Sequence, residues 1–314
     1  MAYLPFYITP EKFQEYQKQR SESIENAPDV TRWMCKNVEH KYRHLRAVIW
    51  VIPVLMTALI FGGMMTFTLD EPVWHLSNPV VYALIIPLII AGWAGYLSYG
   101  IDDRYDYTLS AAGLIYQKRL DEPLWGPRFV QIMAYIACGA SILAVVIMGP
   151  LALVGSGGFI LLAFACTKKR EINVEEWVVP SDQFVCARHF KKRKLVCLYA
   201  KKESCKKIGH IDYPDHIDRA QTRGSFFLFY KTEQQLTSIC EILSNSLQID
   251  IEEVDQPNLI FDFEHWPKPL TELRMNYERF HKDKTLTRFN DPAPRGKTYE
   301  ESKKEFEELY GDFS

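Results

Sequence analysis

The stretch that decides the predicted fold is residues 129–170, FVQIMAYIACGASILAVVIMGPLALVGSGGFILLAFACTKKR. No side chain is charged from residue 129 to residue 166, and Lys168, Lys169 and Arg170 follow at once. A helix needs roughly 20 apolar residues to cross the ~30 Å hydrocarbon core of a bilayer. The run therefore predicts two short membrane spans, 129–148 and 151–166, with a turn at Gly149-Pro150.

Two more apolar segments, residues 47–69 and 79–99, precede this run. Basic residues lie before the first of them, whereas Asp70 and Glu71 follow it. Because cytoplasmic flanks carry the excess of Lys and Arg, this pattern places both termini in the cytoplasm. The sequence thus predicts a polytopic α-helical membrane protein with four transmembrane helices and a cytoplasmic α+β domain. Its predicted location is the plasma membrane or a bacterial inner membrane, with most of the soluble mass in the cytoplasm.

Overall composition hides this pattern, because the mean hydropathy is −0.16 and the formal net charge is −2. That charge argues against a nucleic-acid partner. The seven cysteines show no paired spacing typical of a zinc site, and we expect reduced thiols. Cys205, beside Lys206 and Lys207, is a candidate for a lowered thiol pKa.

The predicted organisation has six parts. They are a cytoplasmic N-terminal helical segment (1–46), transmembrane helices 1 and 2 (47–101), a cytoplasmic β-hairpin insert (102–128), a transmembrane hairpin (129–166), a cytoplasmic α+β domain (167–263) and a C-terminal helical acidic tail (264–314). An isolated β-hairpin is only marginally stable in water. The hairpin at 105–118 should therefore pair with strands that follow residue 170.

Local signals add detail. Thr9-Pro10 predicts the start of a helix that ends near residue 23, and residues 30–46 read as a second helix. Thr232 and Gln235 form a capping box that predicts a helix to about residue 247. Residues 259–263 read as a short strand, and residues 270–281 and 298–310 as helices.

One family resemblance follows from these elements. Residues 107–116 have the form Tyr-x-Leu-x-x-x-Gly-Leu, and residues 184–247 contain several strands, the aromatic segment SFFLFY and an amphipathic helix. This arrangement resembles the bacterial pleckstrin-homology-like domains that lie next to membrane spans. The resemblance implies a fold of that type for the cytoplasmic domain, and it implies no activity.

The search for catalytic chemistry finds no convincing group, and no cofactor or metal is expected. The predicted spans contain no Asp, Glu, Lys or Arg, which argues against an ion-coupled transporter. His40 and His44 have a spacing suited to a metal, but no third ligand is apparent and Lys41 and Arg43 would oppose a cation, which favours amphipathic residues at the membrane surface. The segment GHIDYPDHID, which begins at Gly209, is either a metal-binding cluster or an ordinary polar loop.

Small residues in the spans predict close helix packing. We assign this role to Gly92, Gly95, Gly155, Gly157 and Gly158. The last three belong to a sequence that superficially resembles a phosphate-binding loop, but no Lys follows them.

A basic collar follows the last predicted span. Residues 167–207 contain twelve Lys or Arg and five Asp or Glu. We assign anionic-lipid or partner contact to Lys168, Lys169, Arg170, Arg188, Lys191, Lys192, Arg193 and Lys194. Each basic group near an anionic leaflet contributes about 1 kcal/mol, whereas the alternative is a solvated loop that obeys the positive-inside rule.

The leading functional hypothesis is a non-enzymatic integral membrane subunit of a secretion, conjugation or defence machine. It would assemble through its transmembrane helices and recruit a partner through its cytoplasmic domain. The expected partners are membrane lipids and other membrane subunits, or further copies of the chain. The alternative is a membrane-embedded enzyme or transporter acting on a lipid or membrane substrate, with Asp102, Asp103, Asp106 and His210 supplying the chemistry.

Overall fold

The computed structural model describes residues 4–68, 100–121, 173–208 and 215–302, residue 304 and isolated positions between 89 and 149. The chain divides into two units. The first contains residues 1–41, 104–118 and 175–314, and the second contains residues 42–103 and 119–174. Each unit is described by itself below.

The first unit contains two β-sheets. One sheet has the order β1-β2-β3-β4, formed by Thr31–Asn37, Asp103–Ser110, Gly113–Leu120 and Glu175–Pro180. The other has the order β8-β5-β6-β7-β9. Its strands are β5 (Phe184–Phe190), β6 (Leu195–Lys207), β7 (His216–Phe229), β8 (Ile251–Glu253) and β9 (Asn276–His281).

Alternating burial explains why these segments form strands. In β2, Tyr105, Tyr107 and Leu109 are buried, while the residues between them are half-buried. Successive side chains of a strand point to opposite faces, so this pattern buries one face of the sheet. In the second sheet, β6 and β7 pair antiparallel from Leu195 opposite Phe229 to Lys207 opposite Ile217.

Polar atoms on aromatic side chains join the two sheets inside the core. The Tyr107 hydroxyl donates to the Phe227 carbonyl at 2.7 Å and accepts from the Phe229 amide at 3.2 Å. The Trp33 indole donates to the Phe229 carbonyl at 2.9 Å. Trp33 and Tyr107 also stack, with ring centroids 4.8 Å apart. Burial of these rings therefore leaves their polar groups satisfied, as a buried Tyr or Trp requires.

Helices complete the first unit. They are α1 (Pro10–Glu25), α3 (Glu233–Cys240), α4 (Asn258–Phe261), α5 (Lys268–Thr271) and α6 (Lys284–Thr287), with a π-helical turn at Glu241–Ser246 and 3-10 turns at Ser181–Gln183, Lys191–Arg193 and Phe263–His265. Thr9 caps α1 by accepting from the Lys12 amide, and the Thr232 capping box opens α3. Both predicted helix starts are confirmed.

A buried ion-pair network fastens the N-terminal segment to the second sheet. Glu203 Oε1 accepts from Arg219 Nη2 at 2.6 Å and from the Leu4 amide at 3.0 Å. Glu203 Oε2 accepts from Arg20 Nη1 at 3.1 Å and from Gln183 Nε2 at 2.9 Å. The side chains of Glu203 and Arg219 are 1% and 0% exposed, so the pair is fully removed from water.

The second unit is described mainly through one helix, α2 (Arg43–Thr68). Arg46 Nη2 donates to the Ile101 carbonyl at 3.0 Å. Leu55 and Leu59 are exposed on this helix. The predicted spans 79–99, 129–148 and 151–166 lie largely outside the described residues.

The prediction of a polytopic α-helical membrane protein is corrected. Within the residues that the structure describes, no helix is both long enough and apolar enough to qualify as a membrane span. The described chain is instead built largely of two sheets. The long apolar segments dominated the local pattern, and the pairing of β1 with β2 could not be seen in it because these strands come from distant parts of the sequence.

Three local predictions are also wrong. Residues 31–37 form β1 rather than a helix, residues 258–261 form α4 rather than a strand, and residues 276–281 form β9 rather than a helix. In each case pairing or packing with distant residues overrides a short local pattern. The expected pairing of the 105–118 hairpin with later strands is confirmed, because β3 pairs antiparallel with β4 from Gly113 opposite Pro180 to Lys118 opposite Glu175.

Candidate functional site

The most distinctive concave feature of the first unit is a cavity of about 370 Å³. We call it the aromatic pocket. Strands β3, β4 and β7, helix α4 and the Phe263–His265 turn contribute its walls. Seven aromatic side chains line it, namely Tyr116, Trp177, Phe226, Phe227, Phe261, Phe263 and Trp266. Glu39, Glu175, Lys202 and Ser225 add polar groups to these walls. Aromatic side chains with a small number of placed polar groups are typical of binding sites in proteins.

A single lysine from β6 enters this aromatic wall. Lys202 Nζ lies 3.4 Å from the ring centroid of Trp177 and 5.9 Å from that of Phe226. The lysine stem passes Gly224, where an added Cβ would lie 3.2 Å from Lys202 Cδ. Burial lowers the pKa of Lys202, although the nearby carboxylates of Glu175 and Glu39 act in the opposite direction.

The two carboxylates of the pocket already accept hydrogen bonds. Glu39 accepts from the Tyr116 hydroxyl, and its second oxygen accepts from Lys118 Nζ at 2.9 Å. Burial, followed by the charge of Glu39, raises the pKa of Tyr116 well above its usual range. The Tyr116 hydroxyl therefore stays protonated and donates to Glu39. The other carboxylate, Glu175, accepts from the Trp177 indole at 2.6 Å through its Oε1 atom.

The outer walls of the pocket are ring pairs. Phe227 and Phe261 stack with centroids 5.4 Å apart and an interplanar angle of 10°, and Phe263 meets Trp266 edge to face at 5.0 Å. Phe263 is 65% exposed, so this ring presents apolar area to whatever enters. Together these rings can hold an apolar group, and Lys202 can supply a positive charge beside it.

The basic turn between β5 and β6 adjoins the aromatic pocket, because the Arg193 guanidinium lies 5.4 Å from the ring centroid of Phe261. Side chains of this turn also bind backbone carbonyls. Arg193 donates to His40 O at 2.6 Å, Val38 O at 3.1 Å and Lys41 O at 3.3 Å. Lys192 and Lys194 each reach one carbonyl, at 3.3 and 3.2 Å. Arg188 is buried against Glu252 Oε2 at 2.7 Å and two carbonyl oxygens. These bonds give most of the turn a structural role, and partner contact by it stays a prediction.

Alanine substitutions at this turn should distinguish a residue that binds backbone carbonyls from an exposed residue. We expect Arg193→Ala to lower the free energy of unfolding by about 1–3 kcal/mol, because it removes donors from three carbonyl oxygens. The exposed Lys191 is the matched control, and Lys191→Ala should change this free energy by less than about 0.5 kcal/mol. Urea unfolding of the purified proteins measures both. Equal effects would contradict the structural role of Arg193.

The structure describes only some of the other predicted site residues. Gly92 lies in the second unit, where an added Cβ would be 3.5 Å from Val54 Cγ2, an ordinary contact distance. The remaining packing and collar residues Gly95, Gly155, Gly157, Gly158, Lys168, Lys169 and Arg170 lie outside the described residues, as does His210. Asp106 pairs with Arg104 at 3.1 Å. The roles assigned to the glycines and to the collar stay predictions.

The structure revises the view of Cys205. Burial raises the pKa of its thiol to about 11, which opposes the expected activation by nearby lysines. Cys205 packs in a small cluster with Ile8 and Phe280. In the described part of the chain, no group of three or more His, Cys, Asp or Glu side chains is arranged to hold a metal.

Sequence reasoning missed the aromatic pocket although its residues carried a signal. Phe226 and Phe227 belong to the segment SFFLFY, and Phe261, Phe263 and Trp266 belong to FDFEHW. Two short aromatic clusters were visible, but nothing local shows that they meet around Lys202. Clustered aromatic residues outside the predicted spans were the available clue.

The fold and the pocket define the class of this protein as a two-sheet module with an aromatic pocket. The sequence profile of the TsiV2 immunity protein family matches residues 14–268, and the chain belongs to this family. All residues that line the aromatic pocket lie inside the matched range.

A curated relative agrees with this membership. It is the immunity protein TsiV2 of Vibrio cholerae serotype O1, which is 37% identical over 84 residues. The aligned residues make up 27% of this chain and 35% of the relative, so the match spans about a third of the relative's length. No solved structure matches the chain.

These findings correct four expectations. Membership in the TsiV2 immunity protein family replaces the resemblance to pleckstrin-homology-like membrane proteins. It also replaces both the membrane-subunit hypothesis and the alternative of a membrane-embedded enzyme or transporter. A protein partner agrees with this family, whereas lipid and membrane-subunit partners have no support. The integral-membrane location is corrected as well, because no helix in the described part of the chain qualifies as a membrane span.

Proposed function

We propose that this protein is an immunity protein that neutralises a toxin by binding to it. The observation that carries the proposal is the family match over residues 14–268. This range includes both sheets up to β8 and every residue of the aromatic pocket. The partial likeness to the immunity protein TsiV2 of Vibrio cholerae supports the same function.

The first unit has features that suit stable binding to another protein. Its two sheets share a core in which Tyr107 and Trp33 are hydrogen-bonded across the interface between the sheets. Such a core holds surface groups in fixed positions, which lowers the entropic cost of association. The aromatic pocket adds Trp and Phe side chains, residue types that are enriched at protein interfaces.

A competition experiment in cells of the source strain tests the proposal. The gene for this protein is deleted, and the deletion strain is mixed on a solid surface with its parent, which carries the toxin. We expect the deletion strain to lose viability, and a plasmid copy of the intact chain to restore it. The control is a plasmid that carries the same gene with an early stop codon.

Equal survival of the deletion strain and its parent would contradict the proposed function. Where the deletion strain dies, the toxin is identified by deleting secreted-protein genes of the parent until killing stops. The purified toxin should then bind the purified full chain in calorimetry or in analytical gel filtration. Failure of the pure proteins to associate would leave neutralisation by binding without support.

A further inference from the structure

The ammonium group of Lys202 is the most informative feature of the aromatic pocket. A lysine ammonium carries three hydrogen-bond donors and no acceptor. Within the described residues, Lys202 Nζ forms no ion pair and no hydrogen bond, and its nearest aromatic partner is the Trp177 ring at 3.4 Å. Stacking on a ring stabilises the charge but leaves the N–H donors available. The pocket therefore contains a cation that is half-removed from water and still has donors to offer.

The charges around Lys202 favour a negatively charged occupant. Glu39 is engaged by Lys118 and by the Tyr116 hydroxyl. Glu175 is exposed and accepts from the Trp177 indole. Solvent and these donors weaken the effect of both carboxylates on an entering group. A cationic occupant would instead lie beside Lys202, and like charges at short distance in a partly dry pocket repel each other strongly.

The size and walls of the pocket restrict the occupant further. A volume of about 370 Å³ lies at the lower end of the range for small-molecule sites, roughly 300–1,000 Å³. This space suits one or two side chains rather than a cofactor. The exposed ring of Phe263 and its partner Trp266 offer apolar area next to the charge. An acidic side chain with an apolar neighbour matches both parts of the pocket.

We propose that the aromatic pocket receives an acidic side chain of the toxin, whose carboxylate binds Lys202 Nζ while an adjacent apolar or aromatic residue packs on Phe263 and Trp266. This inference rests on the proposed function, because the toxin is the protein partner. It makes the pocket the central contact of the interface. Interfaces often concentrate their binding energy in such a partly desolvated aromatic pocket.

The first experiment repeats the competition assay with plasmid copies of pocket variants. We expect Lys202→Gln and Lys202→Glu to reduce survival about tenfold or more relative to the unaltered chain, and Lys202→Arg to retain part of the protection. Removal of one partner from a buried, hydrogen-bonded charge pair weakens binding roughly 30-fold or more. Lys207→Gln, on the same strand but at its exposed end, is the charge-matched control and should protect fully.

Phe263→Ala is a second, independent test of the pocket, in case a Lys202 variant loses protection only because it misfolds. Because the Phe263 side chain is 65% exposed, its truncation should leave the unfolding temperature unchanged while protection falls. Thermal unfolding of each purified variant checks this point. Full protection by Lys202→Gln and Phe263→Ala, alongside protection by the intact chain, would overturn the pocket proposal and leave the proposed function standing. Loss of protection by the intact chain itself would instead count against the proposed function.

The second experiment needs no toxin. A phage-displayed library of random dodecapeptides is selected on the immobilised full chain and, in parallel, on the Lys202→Gln variant. We expect the full chain to enrich peptides with Asp or Glu next to an aromatic or leucine residue, and the variant to lose this enrichment. Enrichment of Lys or Arg peptides would overturn the proposal in favour of a cationic occupant. Identical peptide pools on the two proteins would also overturn it.

Discussion

Glu203→Ala is expected to lower the free energy of unfolding by about 3–5 kcal/mol, because it leaves the charge of Arg219 buried without its partner. The Arg219 side chain is 0% exposed, and its Nη2 atom lies 2.6 Å from Glu203 Oε1. The same substitution releases Gln183 and also Arg20 and the Leu4 amide, and the last two attach the N-terminal segment to the second sheet. Such a loss is a large part of the stability of a typical domain.

Urea unfolding followed by circular dichroism measures this effect. Asp291→Ala is the matched control, because it also removes the carboxylate of an arginine pair, but the side chains of Arg288 and Asp291 are 39% and 47% exposed. We expect that control to change the free energy of unfolding much less than Glu203→Ala, since solvent screens an exposed ion pair. If the two substitutions cost the same, the network around Glu203 does not hold the N-terminal segment as the structure indicates.

Gly113→Ala is expected to produce the second large effect, through the backbone at the start of β3. Gly113 has φ +150°, and a Cβ atom there would lie 2.4 Å from the Val179 carbonyl oxygen and 2.8 Å from Pro180 Cα. The backbone conformation alone costs a non-glycine residue about 1–3 kcal/mol, and the contact with β4 adds to that cost. The expected result is a loss of about 3 kcal/mol or more in the free energy of unfolding.

The control for this substitution is Gly224→Ala in β7. An added Cβ at Gly224 meets only the flexible Lys202 side chain, at 3.2 Å, so the change in stability should stay within about 1 kcal/mol. Chemical denaturation of the two variants compares them directly. A Gly113→Ala protein as stable as the Gly224→Ala protein would contradict the tight pairing of β3 with β4.

Local capping chemistry was predictable from the sequence. Thr9 with Pro10, and Thr232 with Gln235, start helices as expected because the interactions that fix a helix start lie within four residues. The 105–118 hairpin was predictable for a similar reason, and its need for a larger sheet correctly indicated pairing with a strand that follows residue 170.

The remaining errors have physical causes. Residues 31–37 read as part of a helix because their strand character depends on β2, which begins at Asp103. The long apolar segments led to a membrane-helix interpretation of the whole fold, which drew attention away from the sheets. The aromatic pocket required the meeting of Trp177, Lys202 and Phe261 from three separate elements. No periodicity in one segment can reveal such a meeting.

The order of folding follows from the spacing of the strands along the chain. Strands β5, β6 and β7 are consecutive, whereas β1 ends at Asn37 before β2 begins at Asp103, and β3 ends at Leu120 before β4 begins at Glu175. Bringing together strands that are so far apart in sequence costs chain entropy before any contact compensates for it, and such non-local pairing slows folding. We therefore expect amides of β6 and β7 to gain protection first during refolding, and those of β1 and β4 last. Pulse-labelled hydrogen exchange would reveal this sequence of events, and simultaneous protection of all strands would refute it.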